Sequence, residues 1–213
     1  MAIQVAGNGG VVADVDANRA LKTVIRPTDW GALGVYSKAL TSGTMAAGLA
    51  AGSSVFQFRN SSANVYLVKR VMISAGDLVA FAAGFVTFTL TPARTFTANG
   101  SGGTAGTLTG NNGKLRTSMA TMGVAEIRIA STAALTGGTW VLDTDPIAAI
   151  TTSVVATAGI NIVPPGTPLI DRRPGDQPYI LAQNEGFDIE ATVPATGTWR
   201  FSVQVDWEEL ASY

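Results

Sequence analysis

Between Trp199 and Trp207 the chain alternates strictly. Trp199, Phe201, Val203, Val205 and Trp207 are apolar, and Arg200, Ser202, Gln204 and Asp206 between them are polar. A period of two sends successive side chains to opposite faces, so this run predicts a strand with one buried face. Phe187, Ile189, Ala191 and Val193 repeat the pattern against Asp188, Glu190 and Thr192. Pro194-Ala195-Thr196-Gly197 between the runs has turn composition, and together they predict an antiparallel hairpin. Asn184-Glu185-Gly186 predicts a further turn, with a strand over 179–183 before it.

The same reasoning places strands over 35–40, 54–59, 65–74, 85–91, 124–130, 139–142 and 147–156. The polar segment 59–64 reads as a hairpin loop between two of them. About ten short strands with turn residues between them predict an antiparallel sandwich or barrel. Helical periodicity is never sustained. A short helix is expected over 114–122, where Leu115, Met119 and Met122 would share one face. A helical turn or two is expected over 77–83. Segment 98–113 is almost wholly Gly, Thr, Ser, Asn and Ala, the composition of a long surface loop.

The first thirty residues stand apart. Gly7-Asn8-Gly9-Gly10 interrupts a segment whose apolar residues include Ile3, Val5, Val11, Val12 and Val15. Glycines there disfavour a helix, and such a segment buries little surface alone. We expect an extended N-terminal arm over 1–30 and a single β-sandwich domain over 31–213. Those five apolar residues are the candidate partner-binding positions, through strand addition to a neighbour.

Composition narrows the chemistry. Charged residues are 14% of the chain, against about 25% in an ordinary soluble domain. Small, weakly polar residues take their place, and these suit close contact with neighbouring subunits. The net charge of −1 offers no cationic excess for phosphates, so neither nucleic acid nor an anionic membrane is expected as partner. The chain has no cysteine and no histidine. Thiol nucleophiles, Ser-His and Cys-His pairs and imidazole-bound zinc are therefore excluded. The N-terminus lacks the basic and continuously apolar regions of a secretory signal, and no run is long enough for a membrane helix. Synthesis in the cytoplasm is expected.

Motif tests are negative. Gly7-Asn8-Gly9-Gly10 fails the dinucleotide fingerprint, because Val12 stands at the third glycine position. Gly113-Lys114 is followed by Leu115 where a phosphate loop needs Ser or Thr. Asp14-Val15-Asp16-Ala17-Asn18 opens like a calcium loop, but Arg19 and Ile25 occupy the turn-glycine and bidentate-glutamate positions. Asp206, Glu208 and Glu209 read as a solvated acidic end to the last strand. No catalytic residue, metal or cofactor is expected.

Several stretches resemble the virion structural proteins of tailed bacteriophages. They are 40–49 (LTSGTMAAGL), 81–84 (FAAG), 108–119 (LTGNNGKLRTSM) and 184–187 (NEGF) with the strands that follow. The resemblance is to jelly-roll cement or decoration proteins, many of them trimeric, which sit on the capsid shell. It implies an all-β, antiparallel jelly-roll-like β-sandwich and a non-enzymatic structural role in the virion. The major capsid protein is the implied partner, and a homo-oligomer, in first place a trimer, the implied state. A tail or fibre-associated virion protein that binds glycans is the alternative, because the chain is larger than the smallest cement proteins.

Overall fold

The computed structural model describes residues 33–123, 125–173 and 176–211. The expected N-terminal arm over 1–30, with Ile3, Val5, Val11, Val12 and Val15, lies outside the described residues.

The described chain is all-β. Its strands are β1 (Gly34–Thr41), β2 (Met45–Ala46), β3 (Ser53–Asn60), β4 (Val65–Val79), β5 (Gly84–Ala98), β6 (Thr104–Ala105) and β7 (Ala125–Ile129). They continue with β8 (Thr139–Leu142), β9 (Ala148–Val154), β10 (Asn161–Asp171), β11 (Tyr179–Leu181), β12 (Glu185–Thr192) and β13 (Thr198–Leu210). They form two antiparallel sheets in a jelly-roll-like sandwich. The first runs β1-β13-β4-β10, with β11 also on β4 and β2 on β13. The second runs β6-β7-β3-β12-β5-β8, with β9 also on β5.

The alternating rows face each other across the core. Trp199, Phe201, Val203, Val205 and Trp207 of β13 are all buried, as their period of two predicts. Phe187, Ile189 and Ala191 of β12 are buried from the other side, with Phe56, Phe58, Phe88 and Leu90. Aromatic pairs join the sheets. Trp207 meets Phe58 edge-on at 5.1 Å, and Trp199 meets Phe88 edge-on at 5.7 Å. Edge-to-face geometry sets the positive rim of one ring against the negative face of the other.

Two expected hairpins are not hairpins. β12 pairs with β3 and β5, whereas β13 pairs with β1 and β4. The Pro194–Gly197 turn therefore carries the chain from one sheet to the other. Segment 61–64 likewise leads from β3 in the second sheet to β4 in the first. Alternation states which face of a strand is buried. It does not state whether the next strand lies beside that face's own sheet or opposite it.

The two expected helices are also absent. Residues 77–79 extend β4, because Ile160 clamps Asp77: its N–H donates to Oδ1 at 2.6 Å and its carbonyl accepts from Asp77 N–H at 3.2 Å. Segment 114–122 lies along β1 instead. Ser37 N–H donates to Gly113 O at 2.7 Å, Leu115 N–H to Val35 O at 3.3 Å and Ala120 N–H to Leu33 O at 3.3 Å. Backbone groups committed to a strand edge cannot also close helical turns. β10 had no counterpart in the expected strands, since Pro164, Pro165 and Pro168 argue against a ladder. It is an edge strand with three register shifts, where proline is tolerated.

Candidate functional site

Among the places where polar side chains gather, two hold buried carboxylates and a third lines a groove. The first is the outer face of the second sheet. Asp188, in the middle of β12, is fully buried. Alternation alone would send it to solvent. Its Oδ1 accepts from Ser54 Oγ at 2.8 Å and its Oδ2 from Gln57 Nε2 at 3.2 Å. Gln57 Oε1 in turn accepts from Gly100 N–H at 2.8 Å. The 98–103 segment is thus tied over the sheet, and Leu135 N–H adds a bond to Ser54 O at 2.8 Å. Burial pushes the Asp188 carboxyl up to about 7; the bonds from Ser54 and Gln57 oppose that shift only in part.

Beside this network Arg59 is buried as well. Its Nη1 donates to Thr97 O at 2.6 Å and to Phe96 O at 3.3 Å, and its Nη2 pairs with Glu126. Phe96 folds back over Gly186 and packs against Trp140, with ring centroids 5.4 Å apart. A Cβ at position 186 would collide with the Phe58 carbonyl oxygen and come within 2.9 Å of the Phe96 ring. Glycine at this position leaves room for the Phe96 ring.

The second place is one end of the sandwich. Glu208 and Glu209, expected on a solvated face, are both buried. Glu209 continues the inward row beyond Trp207. Both its oxygens accept from Gly123 N–H at 2.9 Å, and Oε1 also accepts from Asn64 Nδ2 at 2.7 Å. Tyr36 donates to Ala120 O at 3.0 Å close by. Burial, reinforced by the charge of Glu209, pushes the Tyr36 hydroxyl up to about 12 and raises Tyr66 further. Glu208 faces the opposite way, 3.4 Å from Lys69 Nζ. Burial corrects the expectation: Glu209 is desolvated with hydrogen bonds supplied to it, and Glu208 with an ion pair to Lys69. Glu209 clips the end of the 108–123 segment to the sandwich.

The third place is an open groove of about 220 Å³ on the outer face of the first sheet. Thr41, Ser74, Asn161, Pro165, Arg200 and Ser202 are among its lining residues. The Ser74 and Ser202 hydroxyls bond each other at 2.6 Å, and Arg200 donates to Thr44 Oγ1 at 3.2 Å. The lining residues include no carboxylate and no Trp or Tyr ring. The groove can hydrogen-bond a small polar group, and it contains no pair of acid and base.

Sequence reasoning missed Asp188 and Glu209 as buried groups. A carboxylate in the polar phase of an amphipathic strand looks solvated, and the segments that cover it come from residues far away in sequence. The five candidate partner-binding residues in the arm lie outside the described residues. Among the described residues, no three His, Cys, Asp or Glu side chains are grouped to hold a metal ion, and no helix is long and apolar enough to cross a membrane.

The two sheets differ at their edges. No charged residue occurs anywhere in 146–170, the span that contains β9 and all of β10 except its last residue, Asp171. These strands are edge strands of opposite sheets. Ile147 and Val155, flanking β9, are 48% and 60% exposed. No family model, no curated protein and no solved structure matches the chain.

Proposed function

We propose that this protein is a structural subunit of a tailed-phage particle, a cement or decoration protein that lies on the major capsid protein and acts as a homo-oligomer. The observation that carries the reading is the uncharged span 146–170, which supplies β9 and all but the last residue of β10, an edge strand of each sheet, and exposes Ile147 and Val155. Depletion of charge is the compositional mark of the centre of a protein–protein interface, because no strongly hydrated group must be stripped of water there. The buried carboxylates fit the same reading. Asp188, acting through Gln57, and Glu209 help to hold segments of their own chain, which makes a stiff building block. The resemblance of segments 40–49, 81–84, 108–119 and 184–187 to virion proteins supplies the particular assembly.

A glycan-binding tail or fibre-associated role is second. It would use the groove beside Asn161 and Arg200, but that groove offers no exposed aromatic platform for a sugar ring. The test is quantitative mass spectrometry of gradient-purified particles from cells that express the protein, with antibody labelling of the particles. A stoichiometric presence on heads supports the cement role, and labelling of tails or fibres supports the second. Absence from the particles overturns both.

A further inference from the structure

A sandwich of this kind has strand edges to protect, and three of them are protected visibly. The free side of β1 is covered by 113–115 through Ser37 and Val35. β6 is only two residues long. β10 carries three prolines and three register shifts. Short strands, prolines and bulges are the usual means of preventing edge-to-edge pairing. β9 has none of them. It pairs with β5 through seven consecutive residues without a register shift, from Ala148↔Leu90 to Val154↔Gly84. It contains no proline, glycine or charge. Among the described residues, its other side has no strand partner.

We infer that β9 pairs with β9 of a second copy of this chain, antiparallel and about a two-fold axis at Thr151. The sequence around Thr151 is complementary to itself. In this register Ala148 faces Val154, Ala149 faces Ser153, and Ile150 faces Thr152. Ile147 of each copy then faces Val155 of the other, so the two exposed apolar residues that bracket the strand cover each other. Both lie on the same face as Ala149, Thr151 and Ser153, the exposed face of β9. Phe85, 66% exposed, stands opposite Ser153 on β5 and extends the apolar strip at each end. Because the strand is uncharged, no like charges meet across the axis, which is the condition an isologous contact has to satisfy. The occupant is thus a second copy rather than an unrelated strand: the register that satisfies the backbone also pairs Ile147 with Val155. The contact links two chains whatever oligomer each belongs to, and it stands whether or not the particle is a phage.

The chain has no cysteine, so single substitutions give single thiols. Thr151→Cys places the thiol on the proposed axis, opposite its own copy. Ala149→Cys places it four residues out of register with itself, about 14 Å away, beyond disulfide reach. Under mild oxidation of the full-length protein, Thr151→Cys should form covalent dimers about ten-fold faster or more than Ala149→Cys. A mixture of Ala149→Cys and Ser153→Cys chains should cross-link faster than either alone. Adding Ala149→Lys and Ser153→Lys to the Thr151→Cys chain should abolish the advantage, since four lysines would then meet across the axis. Equal cross-linking of Thr151→Cys and Ala149→Cys, or none, overturns the inference. An edge filled instead by residues 1–32 would give the second of these results. Either outcome leaves the particle test untouched, so the two readings fail separately.

Discussion

The outer faces of the two sheets bear similar residues and use them differently. On the first sheet the polar row of β13 from Arg200 to Asp206 stays near solvent. Asp206 pairs with a half-exposed Arg70 at 2.6 Å, Ser37 donates to Asp206 at 2.6 Å, and Ser74 and Ser202 bond across β4 and β13. On the second sheet the corresponding row of β12 and β3 is roofed. Asp188, Gln57 and Arg59 are buried; Asp188 bonds Ser54 and Gln57, Gln57 bonds the covering segment at Gly100, and Arg59 bonds the end of β5 at Thr97. The same side-chain chemistry is thus ornament on one sheet and fastening on the other. Burial decides which, because a hydrogen bond lost in water is replaced and one lost under a roof is not.

Substitutions on the two faces should separate accordingly. Gly186→Ala should have the largest effect. Its Cβ meets backbone at Phe58 and Arg59 as well as the Phe96 ring, so we expect a loss of about 3 kcal/mol in urea unfolding, at the upper end of overpacking costs. Asp188→Ala should come next. It leaves the Ser54 hydroxyl and the Gln57 amide short of an acceptor under the roof, at about 2 kcal/mol, with faster proteolysis within 98–103. A loss below that of an exposed substitution would show that water replaces the carboxylate.

The pH dependence of stability sharpens the contrast further. Asp188 ionises near 3.8 in the unfolded chain and near 7 in the folded one. Between those values the folded state holds a proton that the unfolded state has released. Stability should therefore fall as pH rises through this window, by up to about 1.4 kcal/mol per pH unit, and level off above it. Asp188→Asn should flatten that slope in denaturant titrations run across the window. An unchanged slope would assign it to other groups. Arg70→Ala should have the smallest effect, within about 1 kcal/mol, and that effect should shrink in high salt.

Much of the fold was legible. The inward rows of β12 and β13 follow from alternation alone, and the turn at Asn184 was marked by its composition; Asn184 does adopt a left-handed backbone, with φ of 60°. Pairing was not legible. Both connections read as hairpins pass between sheets, because a short polar segment between two amphipathic strands fits either route. β10 was hidden by its prolines, the very residues that suit it to an edge. Asp188 and Glu209 were hidden for another reason. Their burial depends on segments near 100 and 123, and no local pattern around 188 or 209 records that contact. The absence of cysteine and histidine, by contrast, needed no structure to limit the chemistry.

The position of β13 has a consequence for how the molecule comes into being. It is the central strand of the first sheet, hydrogen-bonded to β1 on one side and β4 on the other. β1 and β4 leave the ribosome long before residues 198–210 are made, and they have no ladder with each other. The first sheet therefore cannot zip up progressively during synthesis. Its ladders to β1 and β4 can form only after β13 is made, and the same strand carries Trp199 and Trp207 into the core. Pairings so distant in sequence make for slow folding. Until those ladders form, both sides of the gap remain open to other chains, so expression at low temperature or with chaperones should raise the soluble yield.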